Sequence, residues 1–210
     1  MKISEKKFII IILIIIILLS GILIYKIKKT PKYNKELYNE IYSEYTEMLN
    51  NIENNSNIKE ENDQTNDNTI YIISNSKGQQ YRVIGEISIP KININYPIIC
   101  ETTEDYLKIA PTKLFGPDVN EEGNLCLAGH NYKNDQFFSK ISQLNVNDRV
   151  YLKSNKRHDK KLYLVYDKFE ILKDDLECTN QETNGETELT LITCTSNKKK
   201  RLVVKCRAVK

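Results

Sequence analysis

The chain has 210 residues and a net charge of +3, too small to argue for nucleic acid as a partner, and its Lys and Arg are spread along its length rather than gathered on one face. Its five cysteines are odd in number and include no CxxC pair, which argues against a disulfide framework and against a structural zinc site. No cofactor or metal is expected, and Cys126 and His130, four apart on a strand-like run, do not converge on a metal.

The first 29 residues read as a membrane segment. Phe8–Tyr25 is an uncharged run of nearly pure Ile and Leu, close to the length of a bilayer span. A secretory signal has a shorter apolar region and an A-x-A-like cleavage site, so an uncleaved signal-anchor is expected. Lysines flank the run on both sides, so the positive-inside rule does not fix its orientation. Residues 30–69 read as a juxtamembrane helix and a polar tether. Leu37, Ile41, Tyr45 and Met48 recur at helical spacing. Asn50–Asn68 is almost free of apolar residues and is expected to be flexible.

Residues 70–210 carry the composition of one compact domain of about 140 residues. Ile70–Ile73 and Tyr81–Ile84 flank a polar turn, Gly85–Pro90 alternates as a half-buried strand does, and Ile92–Ile99 follows. Thr102 or Thr103 caps a helical turn. Pro111, Gly116 and Pro117 mark a loop. Asn124–Ala128 is a short apolar strand ending in Gly129-His130. Phe138, Ile141 and Leu144 suggest a short helix over one end. Val150–Leu152 and Lys161–Leu172 are strands, Lys173–Thr187 is a polar loop, and Leu189–Cys194 and Arg201–Cys206 are the last two strands. About seven or eight short strands and two short helices make an all-β barrel or sandwich.

Cys194 ends one strand and Arg201 begins the next, which sets a thiol beside a permanent positive charge. A thiolate is the reactive form of cysteine, and nearby cations favour it. Cys100, Cys126 and Cys206 read as small buried side chains. A cysteine nucleophile also needs a proton carrier within reach. Of the two histidines, His158 lies in a charged turn and reads as a surface residue, whereas His130 ends an apolar strand. On pattern alone His130 is as readily structural as functional, and Arg201 alone reads as an exposed strand residue.

Leu127-Ala128-Gly129-His130, Thr190-Leu191-Ile192-Thr193-Cys194 and Arg201-Leu202-Val203-Val204 together resemble the sortases, membrane-anchored cysteine transpeptidases of Gram-positive surfaces. The order His, Cys, Arg and the separations match, and the resemblance spans roughly residues 81–210. It implies a closed eight-stranded β-barrel preceded by the transmembrane helix, and a catalytic triad of His130, Cys194 and Arg201. Thr193 is implied to support the site and contact substrate. The implied substrates are surface proteins with a C-terminal sorting signal of LPxTG type. The implied acceptor is an amine of a peptidoglycan precursor or a lysine. The catalytic domain would lie outside the cell.

Residues 30–80 lack the Asp-Pro-aromatic lid motif of pilus-polymerising sortases, and Lys173–Thr187 is too short for the helical insertion of the haem-uptake branch. A housekeeping-like or sporulation-type sortase remains. Some members bind calcium, for which Asp118, Glu121, Glu122, Glu177 and Glu182 are the acidic candidates, although acidic loops are usually just solvated. Two rivals stand beside this reading. One is another cysteine peptidase or transpeptidase of the envelope, poorly matched because Thr193 and Thr195 flank the cysteine. The other is a catalytically silent, membrane-tethered binding barrel.

Overall fold

A computed structural model describes the backbone of residues 5–56, 71–132, 135–196 and 199–210, and within the long N-terminal helix the side chains of 11–25 and 35–51. The chain divides into two units, Met1–Asn39 and Glu40–Lys210. The first is helical and belongs to α1 (Glu5–Ser56). Its apolar side chains from Ile11 to Tyr25 are all exposed. Among the described residues no helix is long and apolar enough to cross a membrane. The side chains of Phe8–Ile10, which begin the run expected to span a bilayer, lie outside the described residues.

In the second unit, the stretch expected to be flexible from Asn50 is still helical to Ser56, and residues 57–70 lie outside the described residues. The part of α1 from Glu40 to Tyr45 does not stand free. Ile41 and Tyr45, four apart and so on one helix face, are completely buried. The Tyr45 hydroxyl donates to Asn155 Oδ1 at 2.9 Å, and Asn155 Nδ2 donates to the Val83 carbonyl at 2.8 Å. Glu44 and Glu40 accept from the backbone N–H groups of Ser74 and Ser76. This part of α1 is therefore held by buried Ile41 and Tyr45 together with polar contacts that sequence periodicity does not register.

The described residues form nine strands: β1 (Tyr71–Ser74), β2 (Gln80–Ile89), β3 (Ile94–Ile99), β4 (Thr112–Phe115), β5 (Gly123–Ala128), β6 (Arg149–Ser154), β7 (Lys160–Leu172), β8 (Thr187–Cys194) and β9 (Lys200–Ala208). Eight of them close on themselves in the order β2-β3-β4-β5-β8-β9-β7-β6, because β6 pairs back onto β2. This is the expected eight-stranded barrel, with β1 as a ninth strand added to β2. The β2 edge is shared: Tyr81 and Val83 pair with β1, and Gly85–Ser88 pair with β6. Gly85 sits where the partner changes, and a Cβ there would meet the Lys153 carbonyl oxygen at 2.3 Å. Only glycine lets β6 approach closely enough to close the ring.

Alternation sorts each strand into two faces. Leu125 and Leu127 on β5, Leu189 and Leu191 on β8, and Val204 and Cys206 on β9 fill the barrel. Each contributes about 1.5–3 kcal/mol by leaving water. On the opposite strand face, Cys126, Ile192 and Val203 form a second, smaller apolar cluster with Cys178. Cys178 belongs to the connection from β7 to β8. That connection is needed because β7 and β8 both run antiparallel to β9, so the chain must return to the far end of the barrel before β8 begins. Asn124 clamps it: its Nδ2 donates to the carbonyls of Cys178 and Asn180 at 3.0 Å each, and its Oδ1 accepts from Thr190 at 2.6 Å.

Two local expectations are corrected. The Pro111–Pro117 loop contains a strand, β4, whose burial pattern does not alternate and so leaves no period to read. The expected helix at Asp135–Leu144 is only a 3₁₀ turn at Ile141–Gln143. Phe138, Ile141 and Leu144 are all fully buried, and a strict spacing of three is the 3₁₀ period rather than the α period. The helical turn after Thr103 is α2 (Glu104–Leu107), capped by the Thr103 hydroxyl, which accepts from the Tyr106 N–H at 3.1 Å.

Glu188 is buried on β8 and gives the fold a pH dependence. Burial pushes its carboxyl up. The Arg207 guanidinium at 2.7 Å, the Tyr166 hydroxyl at 3.0 Å and Lys205 at 3.5 Å outweigh burial and hold it below the usual 4.5. A lowered folded value means the stabilisation is fully present above the unfolded value and is lost as pH falls through the folded one. Thermal melts of the wild type should therefore drop steeply below pH 4.5. Glu188→Gln should start less stable at pH 7 and show a visibly shallower acid slope.

Candidate active site

The β8–β9 ladder ends in the register pair Cys194↔Arg201. Both side chains lie on the face opposite the barrel core, on the same side as Ile192 and Val203. Arg201 Nη1 donates to Cys194 Sγ at 2.6 Å, and both residues are half-buried. All five cysteines are free thiols, and Cys126, Cys178 and Cys206 are buried. Burial pushes the thiols of Cys100, Cys178 and Cys206 up, and that of Cys126 up to about 12, which makes them poor nucleophiles. Cys100 was expected to be buried and is instead half-exposed at the end of β3.

His130 reaches the same barrel end on the neighbouring strand. β5 and β8 run parallel from Gly123↔Thr187 to Ala128↔Ile192. The contacts continue past the ladder: the Gly129 N–H donates to the Ile192 carbonyl at 3.1 Å, and the Thr193 hydroxyl donates to the Gly129 carbonyl at 2.7 Å, across 64 residues of chain. The same offset sets the backbone of His130 level with Cys194. The His130 carbonyl accepts from the Phe138 N–H at 3.1 Å, and its ring lies 4.8 Å from that of Tyr132. Gly129 is required here, since a Cβ would meet the Phe138 ring at 2.7 Å.

Thr193, expected to contact substrate, is 3% exposed and faces inward. Its hydroxyl ties β8 to β5. It is buried on β8 next to Cys194. His158 is an exposed turn residue, as expected. Asn131 was not singled out by sequence, yet its Nδ2 donates to the Cys194 carbonyl at 2.7 Å. Nothing in its immediate neighbourhood signals this, because the acceptor lies on another strand.

Two of the acidic loop residues raised as calcium candidates, Asp118 and Glu121, are engaged in ion pairs. Asp118 pairs with Lys113 at 2.9 Å and Lys156 at 3.3 Å, and Glu121 pairs with Lys156 at 3.1 Å. Among the described residues no three His, Cys, Asp or Glu side chains are placed to hold a metal ion together. A surface depression of about 740 Å³, lined in part by Phe115, Glu122, Gln181 and Asn184, lies at the opposite barrel end, where β5 and β8 begin. That is roughly 20 Å along β8 from Cys194. It shares no residue with the thiol–guanidinium pair.

Residues 87–209, more than half of the chain, match the family model described as Sortase domain. The chain belongs to the sortase family. Sortase A of Bacillus anthracis is 36% identical over 135 residues, covering 63% of this chain and 62% of that protein. The chain therefore spans less than two thirds of that relative's length. Among solved structures, sortase C1 of Streptococcus agalactiae superposes with a TM-score of 0.54 at 28% identity, over 60% of this chain and 69% of that one. Sortase C-1 of Actinomyces oris gives a TM-score of 0.56 at 26% identity, over 61% and 74%. Sortase A of Corynebacterium diphtheriae gives 0.56 at 24% identity, over 62% of each chain, and shares the fold. Relatives named sortase A and sortase C fit this barrel about equally well, with TM-scores of 0.54 to 0.56.

Proposed function

We propose that this sortase is a membrane-anchored cysteine transpeptidase acting on surface proteins with an LPxTG-like C-terminal sorting signal. The observation that carries the reading is the contact between the Arg201 guanidinium and the Cys194 sulfur at 2.6 Å, on the strand adjoining His130. In this mechanism the Cys194 thiolate attacks the carbonyl carbon of the scissile peptide bond. Arg201 donates hydrogen bonds to the oxygen that becomes negative, a role suited to a side chain charged at any working pH. The C–N bond breaks, His130 gives a proton to the leaving amine, and the acyl fragment remains as a thioester on Cys194. An amine of a peptidoglycan precursor or of a lysine then attacks the thioester, loses its proton to His130, and forms the new amide as the thiolate departs. Water in place of the amine gives hydrolysis.

Phe8–Tyr25 supports an anchor within residues 1–29, ahead of a linking segment at 30–69 and a catalytic barrel at 70–210. The exposed apolar side chains of Ile11–Tyr25 fit a lipid surrounding. Family likeness supports an extracellular catalytic domain, and the missing lid motif in residues 30–80 with the short Lys173–Thr187 loop supports the housekeeping-like or sporulation type.

The test incubates the full chain, in detergent, with a fluorogenic LPxTG-type peptide and an amine acceptor. The wild type should form the amide-exchanged product. His130→Ala should lower the rate on the order of 10³-fold, the scale of a general acid–base group. Full activity in His130→Ala would overturn the assignment, and no turnover by the wild type would favour a silent binding barrel.

A further inference from the structure

The hydrogen-bonded ladder between β5 and β8 stops at Ala128↔Ile192, two residues short of the catalytic pair. Backbone groups pointing toward β5 then need other partners. Ile192 finds the Gly129 N–H. The next carbonyl on that side of β8 belongs to Cys194, and β5 has already turned away to become the His130 loop. On the other side of β8, the Thr195 N–H donates to the Lys200 carbonyl at 3.0 Å, which keeps β9 in register. The Cys194 carbonyl is met by the Asn131 side chain, whose Nδ2 donates at 2.7 Å. The amide thus replaces the missing rung.

Asn131 is itself held from the opposite side. Its backbone forms a β-bridge with Phe137. Phe137 and Phe138 are 1% and 0% exposed, the Phe138 N–H donates to the His130 carbonyl, and the Phe137 N–H donates to the Tyr96 hydroxyl at 3.2 Å. The segment His130–Asn131 is therefore clamped between a buried aromatic anchor and the residue bearing the thiol.

We infer that Asn131 is a positioning residue for the transpeptidation proposed above: it fixes the Cys194 backbone to the His130 loop, so that sulfur and imidazole keep a constant relation during acyl transfer. It touches neither the substrate nor the reacting atoms. The inference rests on the proposed function only for its kinetic consequence, since the geometric link to Cys194 exists whatever the reaction.

Removing the rung lets the end of β8 fray. Binding of the peptide along the sheet is little altered, while the thiol spends less time aligned for attack. Small displacements of aligned groups cost rate rather than affinity. Asn131→Ala in the full chain should lower kcat at least about tenfold with KM within about twofold. The alkylation rate of Cys194 by iodoacetamide, followed by mass spectrometry, should change severalfold, and circular dichroism should be unchanged. Asn131→Gln, which keeps the amide on a longer arm, should recover part of the kcat. Asn131→Asp has the same shape without the donor and sets a carboxylate against the carbonyl. It should fall at least as far as the alanine variant, and it decides the matter if that variant does not fold. Wild-type kcat and alkylation in Asn131→Ala, or in Asn131→Asp, would overturn the inference. If the wild type alkylates but never cleaves the sorting peptide, and Asn131→Ala still changes the alkylation rate, then the transpeptidase reading fails and the positioning role stands.

Discussion

Cys194→Ala should lower peptide cleavage and transfer by about 10⁴-fold or more, to the level of the uncatalysed background, with a melting temperature within a few degrees of wild type. The size of the loss follows from the absence of a substitute. Three of the other four thiols are buried, and burial pushes all four up, away from the reactive thiolate. The mildness of the structural effect follows from position. Cys194 is the last residue of β8 and half-buried, so trimming its sulfur leaves the barrel core untouched. The same geometry predicts the labelling pattern of a thiol-reactive probe: Cys194 first, Cys100 more slowly, and Cys126, Cys178 and Cys206 only on unfolding. Several per cent residual activity in Cys194→Ala, or equal labelling of all five thiols, would remove Cys194 from the reaction.

Arg201→Ala should lower kcat/KM by 10²–10³-fold, the cost of losing one oriented donor to a developing oxyanion. At 1.36 kcal/mol per factor of ten, this is about 3–4 kcal/mol of transition-state stabilisation. Arg201 is placed by the antiparallel register and not by a flexible loop, since it lies one residue into β9 and pairs directly with Cys194. A guanidinium can donate to the sulfur and to a substrate oxygen together through its planar fork. Arg201→Lys keeps the charge but loses that fork, and should recover only part of the rate. Steady-state kinetics on the same peptide check both variants. Lysine restored to wild-type activity would mean that charge alone is used, and an unaffected alanine variant would mean that the guanidinium is structural.

Much of this site was legible in the chain because its two strongest parts are local. Leu189–Cys194 and Arg201–Cys206 are apolar runs separated by a short polar stretch, so a hairpin sets Cys194 against Arg201 with no long-range information. His130 was harder. That its backbone lies level with Cys194 depends on a parallel pairing between β5 and β8, bridged across 64 residues, and parallel pairs carry no turn signature. Only the resemblance to a family joined them. Other features depend on partners that sequence does not display. β4 has four residues without alternation. Asn155 lies beside a charged turn and gains its meaning from Tyr45, 110 residues away. Asn131 acquires its role from a carbonyl on another strand. The stretch from Asn50 to Ser56, helical in α1, was read as tether, because its polar composition gave no apolar stripe that would extend the helix.

The central claim is that Cys194 carries the acyl group between two amines. Intact-mass and peptide-mapping spectrometry of the full chain, mixed with an LPxTG-type peptide and no added amine, tests it directly. The account predicts a mass increase equal to the acyl half of the peptide, located on Cys194 and discharged when an amine acceptor is added. No adduct in the wild type, or an adduct that persists in Cys194→Ala, would contradict it.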